Sequence, residues 1–405
     1  MRHWKMYRKK CVVKLKNNNN TYRIEGGEKH SKILLIIGIL GLVISFTGLA
    51  VDASQFYYSY LTAFTFWLTL GLGGLFFVMI HHLTGAVWSV VLRRIGENVM
   101  AVIPILILLF LPVLAGLMQD KIYIWTHESD TLIKMKSGYL NIPFFLIRSI
   151  VYFTIWIVLS RLLYRTSLQQ DEVFDEERLS RMRRISGPGI VLYAVSLTFA
   201  AFDWLMSLDP HWYSTIFGVY IFAGCLMAIY PFLVIFPSYL GSKGILTDTI
   251  TTEHYHDVGK FLFGFVIFWG YIAFSQYFLI WYANIPEETV WYLHRWEGSW
   301  KIITMLLVLG HFLLPFIALM PRFVKRNISL LRVLAIWILI MHYADLFWII
   351  MPNLHHHGIH FSWMDISSVA GIGGIVLWYF WRLFIRQPAV PITDPKLQES
   401  IDFLV

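Results

Sequence analysis

Long apolar runs alternate with short polar segments along the whole chain, and that rhythm decides its class. Ten runs fall near 33–51, 59–80, 98–118, 142–164, 187–206, 215–236, 258–282, 300–320, 329–351 and 363–385. At about 1.5 Å of rise per residue, each is long enough to cross a hydrocarbon core roughly 30 Å thick. The pattern therefore predicts an all-α integral membrane protein of ten transmembrane helices. It divides into a basic tail over 1–32, a membrane domain over 33–386 and a short C-terminal tail over 387–405.

Small residues mark where helices approach one another. Thr62, Thr65, Thr69 and Gly73 share one face of the second span, and glycines at 71, 73 and 74 and at 371, 373 and 374 lie inside apolar runs. These are helix-packing surfaces, not phosphate loops. Pro104 and Pro112 predict kinks in the third span. Between spans, residues 85–94 read as an interfacial helix and 165–186 as a solvated amphipathic one carrying Arg178, Arg181, Arg183 and Arg184. The segment 119–141, with Tyr123, Trp125 and Tyr139, is a candidate docking segment for a partner.

Composition agrees with the membrane reading: 57% of residues are hydrophobic, 17% aromatic and only 14% charged. The net charge of +8 does not form a nucleic-acid patch, because the basic residues sort by loop. The two tails and the even-numbered loops together hold 23 Lys and Arg, ten of them in residues 1–32, whereas the alternate loops hold four. That asymmetry places both termini in the cytoplasm. The tail lacks the apolar core of a cleavable signal and reads as disordered. The chain's two cysteines, Cys11 and Cys225, cannot ligate a cluster or build a disulfide framework.

The candidate chemistry lies in the ionisable residues placed at membrane depth. Asp203, in the stretch Phe202-Asp203-Trp204, sits about 24 Å along the fifth span, and Asp345 reaches the same depth in the ninth. Acids at such depth normally face other helices or water, and are functional candidates by default. Gln276 reaches a similar depth, His342 precedes Asp345 by one helical turn, and Arg148 lies about 9 Å into the fourth span. Arg148, Asp203, Gln276, His342 and Asp345 are thus expected to form one polar cluster. Arg148 is read either as snorkelling to the surface or as an ion-pair partner. Asp209 and His211, in the loop that follows, would be an outlet. His81, His82 and Glu97 would be an inner mouth, with His311 midway, although interfacial residues ending a helix and interhelical hydrogen bonding are the simpler readings of these histidines. Spans five and nine are four apart, which suggests a weak parallel repeat. No metal or haem site is expected: only His311 and His342 come near a bis-histidine arrangement, and the run His355-His356-His357-Gly358-Ile359-His360 contains no carboxylate or thiolate.

Two motifs carry a resemblance that covers roughly residues 33–390. The stretch from His81-His82-Leu83-Thr84-Gly85-Ala86-Val87-Trp88 to Arg94, and that from Phe202-Asp203-Trp204-Leu205-Met206-Ser207-Leu208-Asp209-Pro210-His211-Trp212-Tyr213 to Thr215, are similar to the second NrfD/PsrC-like membrane subunit, the F subunit, of bacterial alternative complex III. That complex is a quinol:cytochrome c oxidoreductase of the cytoplasmic membrane. The resemblance implies two four-helix bundles, helices 2–5 and 6–9, with helices 1 and 10 at the periphery. It implies no covalently bound cofactor, with menaquinone or its quinol as the candidate small molecule. Implied partners are a homologous membrane subunit, an iron–sulfur subunit, haem c subunits and a neighbouring cytochrome oxidase.

On that footing the chain is expected to contribute quinone binding, proton translocation or both, with Asp203 and Asp345 as proton acceptors. The competing readings are a secondary transporter and a purely structural anchor.

Overall fold

The computed structural model describes residues 14–15, 22–127 and 130–403. Ten helices long and apolar enough to cross a membrane account for nearly all of it: α1 Glu28–Val51, α2 Ala53–Thr84, α3 Val90–Met118, α4 Ile142–Glu172, α5 Glu176–Leu208, α6 Phe217–Ser242, α7 Thr252–Ala283, α8 Trp300–Leu319, α9 Ile328–Asn353 and α10 Trp363–Phe384. The protein is an all-α integral membrane protein. Its β structure among the described residues is one two-residue antiparallel pairing, Lys14–Leu15 with Ile24–Glu25.

Local chemistry sets the helix ends. Asp52, Asn141, Asp175 and Asn327 each accept a backbone N–H in the first turn of the helix they precede, which satisfies a donor that has no partner within the helix. Ser362 and Asp365 close a reciprocal capping box at the start of α10. Gly85 ends α2 at φ 60°, a left-handed conformation that glycine adopts without a Cβ penalty.

Prolines inside spans free carbonyls, and neighbouring helices take them up. Pro104 has no N–H for the Met100 carbonyl, which instead accepts from Ser160 Oγ of α4 at 2.8 Å. Near Pro112, the Leu109 carbonyl accepts from Tyr60 Oη of α2 at 2.9 Å. The expected kinks of α3 are breaks of this kind, at Ala101–Val102 and Phe110.

α2–α5 pack as one bundle and α6–α9 as a second, with α2 and α6 forming the shared spine. At Gly73 a Cβ would strike the Cys225 carbonyl and Ile229 of α6, so the spine is close-packed only because that residue is glycine. α1 and α10 pair at the periphery through backbone contacts of Gly38 with Gly374 and of Gly41 with Gly371, and through a Ser45–Ser368 hydroxyl bond of 2.6 Å. The glycine runs are therefore packing surfaces, as their position in apolar spans predicts.

Three expectations need correction. Residues 165–186 do not form a separate amphipathic helix: α4 continues to Glu172, and α5 begins at Glu176. Hydropathy registers only the membrane-crossing part of a helix, whereas helix geometry continues through charged turns. Residues 85–94 are likewise not a single interfacial helix, since Val90–Arg94 opens α3 and is buried. Arg93 pairs with Asp394 and lies 3.5 Å from Glu97, while Arg94 pairs with Asp171 and lies 2.9 Å from Glu97.

The C-terminal segment, expected as a tail, is the third. It folds across this end of the molecule, with Thr393 Oγ1 donating to the Gln170 carbonyl, Lys396 Nζ to the Gly85 carbonyl and His254 Nε2 meeting the Ser400 carbonyl. Of the N-terminal tail, Tyr22 accepts from the Ala389 N–H and α1 begins at Glu28. Residues 1–13 and 16–21, including Cys11, lie outside the described residues.

The α1–α10 contact tests the packing argument. Gly41→Leu places a side chain where the Gly371 backbone lies within 2.7 Å of even a Cβ, and is expected to lower stability by about 1–3 kcal/mol. Gly138→Leu, with nothing within 4 Å, should stay within about 0.5 kcal/mol. Thermal unfolding in detergent compares the two.

Candidate functional site

Asp203 and Asp345 do not share a cluster. Asp203 ends α5 fully buried, and α4 supplies its partners. Arg148 donates from Nε to Oδ2 at 2.7 Å and from Nη2 to Oδ1 at 2.9 Å, and Tyr152 Oη donates to Oδ2 at 2.7 Å. The remaining Arg148 nitrogen, Nη1, donates to the Tyr139 carbonyl, and the guanidinium lies 3.9 Å over the Tyr139 ring. Of the two readings of Arg148, the ion pair is the correct one. A forked, fully compensated pair of this kind is geometrically rigid.

Asp345, 1% exposed, belongs to the second bundle. Tyr220 Oη of α6 donates to its Oδ1 and Trp269 Nε1 of α7 donates to its Oδ2 at 3.1 Å. No Lys, Arg or His nitrogen of the described residues lies within ion-pair distance of it. Asp203 thus carries its own counter-ion, whereas Asp345 is held by two neutral donors and can exchange a proton without breaking an ion pair. The two acids occupy equivalent places in the sequence but not equivalent environments.

Behind Trp269 lies His311, with ring centroids 4.1 Å apart. His311 sits in a π-helical stretch, Leu307–Leu313, immediately before Pro315. The π-type partner of the Gly310 carbonyl would be the nitrogen of Pro315, which bears no hydrogen. Trp337 Nε1 of α9 donates to that carbonyl instead, at 2.7 Å. Neither ring nitrogen of His311 meets a protein partner among the described residues, and the same holds for Nδ1 of His342. His342 Nε2 is bonded to Thr69 Oγ1 of α2 at 2.9 Å, so it joins the two bundles. Buried imidazole nitrogens nearly always hydrogen-bond, which marks these as positions for water or another small polar group.

The other expected residues are placed as follows. Gln276 is not part of an acid cluster: it accepts from Ser214 Oγ at 3.1 Å and donates to Tyr292 Oη at 3.0 Å, which ties α7 to the loop before α6 and to the short helix that follows α7. Asp209 and His211 lie at the surface, where His211 pairs with Asp130 and its Nδ1 is 4.0 Å from Asp209. The Ile133 N–H and His211 hold the exposed Asp130 carboxyl below its usual range. At the opposite end, His81 lies edge-on between Phe77 and Trp88, and Arg183 donates to the His82 carbonyl at 3.4 Å. Glu97 is committed to Arg93, Arg94 and Ser167, so it is part of an ion network and not a free mouth. No hydrogen bond links His81, His82 or Glu97 to His311.

Compared with known proteins, the chain matches no family model and no curated protein. The geometry alone therefore has to rank the residues.

It adds one residue that the sequence reading counted only as a loop charge. Arg295, 2% exposed, follows the short helix Pro286–His294; among the described residues no carboxylate lies within ion-pair distance of it, and the charge of Asp209 acts on it from further away. Its three nitrogens donate to the carbonyls of Trp291, Trp348 and Ile349, and its guanidinium lies 3.5 Å over the Trp291 ring. Burial pushes it down to about 9, which still leaves it charged at neutral pH. Trp291 in turn stacks on Trp212 at 4.4 Å, so the loop after Asp203 closes this end of the second bundle.

Arg295, Tyr220, Trp269 and Tyr292 share a cleft of about 850 Å³ between α7 and α8. Its walls are otherwise aromatic and aliphatic, and Tyr271 and Phe274 bring it out to the apolar outer surface. The isolated cation in the 283–299 loop was a legible signal. Tyr220 and Trp269 were not, since nothing separates them by sequence from the chain's other aromatics.

The two acids should respond differently to substitution. Asp203→Ala leaves Arg148 buried and unpaired, at a cost of about 3–5 kcal/mol. Asp345→Asn keeps an oxygen that can accept from Tyr220 or Trp269, and should cost no more than about 1.5 kcal/mol. Unfolding of the two variants in detergent measures the difference.

Proposed function

We propose that this chain is a membrane subunit of a quinol:cytochrome c oxidoreductase of the bacterial cytoplasmic membrane, and that its second bundle handles protons released at quinol oxidation. The observation that carries the reading is Asp345, a buried carboxyl with no counter-cation, held by Tyr220 and Trp269 and backed by the π-helical His311. Oxidation of one quinol releases two protons and two electrons. The electrons would pass to iron–sulfur and haem c centres of partner subunits, because the chain's own cysteines cannot hold a cluster. The protons need an acceptor that is free to load and unload, and Asp345 is that group, whereas Asp203 is neutralised by Arg148.

The two-bundle architecture supports the same reading, since it is the one the resemblance to the alternative complex III subunit leads one to expect. From Asp345 the polar groups continue through Tyr220 towards Tyr292 and Gln276, and on the other side through Trp269 to His311 and His342. A transmembrane route from Glu97 is not part of the proposal, because that carboxylate is saturated by arginines.

Affinity purification of the tagged chain from native membranes is expected to bring down haem- and iron–sulfur-containing proteins. Within that assembly, Asp345→Asn should lower quinol:cytochrome c turnover by about 10²-fold or more, the usual weight of a general base, with assembly intact. Isolation of the chain by itself would favour a transporter. Full turnover of the assembled Asp345→Asn variant would remove proton handling from this bundle and leave an anchor.

A further inference from the structure

Where α4 turns into α5, charge and hydropathy are laid out along one helix face in the order of a phospholipid. Glu177, Arg181, Arg184, Pro188 and Leu192 follow one another at three- and four-residue intervals, so they share a face of α5. At about 1.5 Å per residue this face runs for roughly 22 Å, polar over its first half and apolar over its second. Together with Ile185, and with Leu159 of α4, these residues line an open groove of about 590 Å³. Gly189 sets its depth. The place of its missing Cβ lies 3.1 Å from Leu159 and 3.0 Å from Met79, so the helices close up beneath the groove and the buried Leu159 forms its floor.

The four arginines of this turn are not equivalent. Arg178 donates to the carbonyls of Gln169 and Val173 and lies 3.5 Å from Asp175, and Arg183 donates to the His82 carbonyl. Both are committed to the fold. Arg181 and Arg184 are exposed, and among the described residues neither has a hydrogen-bond or ion-pair partner. They stand between the acids of the first helical turn, Glu176 and Glu177, and the apolar residues from Ile185 onwards. That is the headgroup level of a membrane crossed by α5, where a guanidinium meets phosphate while its stem lies on hydrocarbon. Glu177 is the acid among the lining residues, which against two arginines leaves the groove one net positive charge.

We propose that this groove holds an anionic phospholipid of the leaflet on the side of the C-terminal segment, with its phosphate between Arg181 and Arg184, its headgroup hydroxyls towards Glu177 and one acyl chain along Ile185, Pro188 and Leu192. A diacyl lipid of the phosphatidylglycerol type, with one net negative charge, balances the groove, and its hydroxyls supply the donors that a carboxylate accepts. A zwitterionic lipid leaves a positive charge unanswered. A free phosphate leaves the apolar half unused. The site lies in the first bundle, apart from Asp345, and does not depend on the functional reading above.

Binding is read by native mass spectrometry of the full chain, delipidated in mild detergent and titrated with phosphatidylglycerol, phosphatidylethanolamine or phosphatidylcholine of the same acyl chains. Phosphatidylglycerol is expected to bind several-fold more tightly than either of the others. Arg184→Gln should lower that affinity about fivefold, the usual worth of one arginine at a lipid surface, and adding Arg181→Gln should lower it about fivefold again. Lys243→Gln removes an equal charge from the exposed end of α6 at the same membrane face and should leave binding as it is. Because both arginines are exposed and unpaired in the protein, their variants should keep the unfolding temperature of the parent chain in lipid-free detergent.

Equal affinity for the three lipids, or a loss with Lys243→Gln as large as with Arg184→Gln, overturns the assignment. So does displacement of the lipid by inorganic phosphate at a matching concentration, which would mean that the apolar half holds nothing. Each result is obtained without partner subunits, and none bears on turnover of the Asp345 variant.

Discussion

Surrounded by hydrocarbon, a chain has to satisfy every buried polar group from its own atoms, and this constraint explains most of what is specific in the molecule. The carbonyl freed by Pro104 is met by Ser160, and that of Gly310, opposite Pro315, by Trp337. Asp203 is met by Arg148 and Tyr152. The cost of leaving such groups unmet is several kcal/mol each, so these contacts fix which helices are neighbours and at what rotation. Some groups escape full satisfaction in both bundles: among the described residues, the ring nitrogens of His81, Nε2 of His82 and Tyr193 Oη in the first, and the ring nitrogens of His311 and Nδ1 of His342 in the second, are buried without a hydrogen-bond partner.

The two bundles are held together differently. The first is closed by ion pairs at both ends, Arg148 with Asp203 at one and the Arg93, Arg94, Glu97, Asp171 and Asp394 network at the other. Buried pairs of this kind do little for net stability relative to apolar packing, but they are strongly destabilising to break, and so they specify one arrangement. The second bundle has a π-helical stretch in α8 and an open cleft against α7. α6 belongs to it and packs on α2, so any movement of α7 or α8 would occur against a fixed spine.

The C-terminal segment adds a third element of the scaffold. Asp394 neutralises Arg93, Lys396 holds the Gly85 carbonyl at the end of α2, and Ser400 meets both His254 and Trp88. It thereby ties the start of α7 to the ends of α2 and α3. The segment is polar enough to pass for a tail, and only its partners reveal that it is a strap.

By itself, the sequence determined the class, the number of spans, their approximate limits and the glycine faces, because hydrophobic run length and small-residue spacing are local quantities that water and lipid read directly. It also marked Arg148 and Asp203 as partners that a bundle could bring together. It could not decide whether Asp203 and Asp345, alike in depth and neighbours along the chain, had the same surroundings. That choice depended on which side chains faced them from other helices: an arginine from α4 in one case, a tyrosine from α6 and a tryptophan from α7 in the other. Helix rotation within a bundle is set by the sum of many interhelical contacts, none of them local, so the difference between a neutralised acid and an available one exists only in the folded molecule.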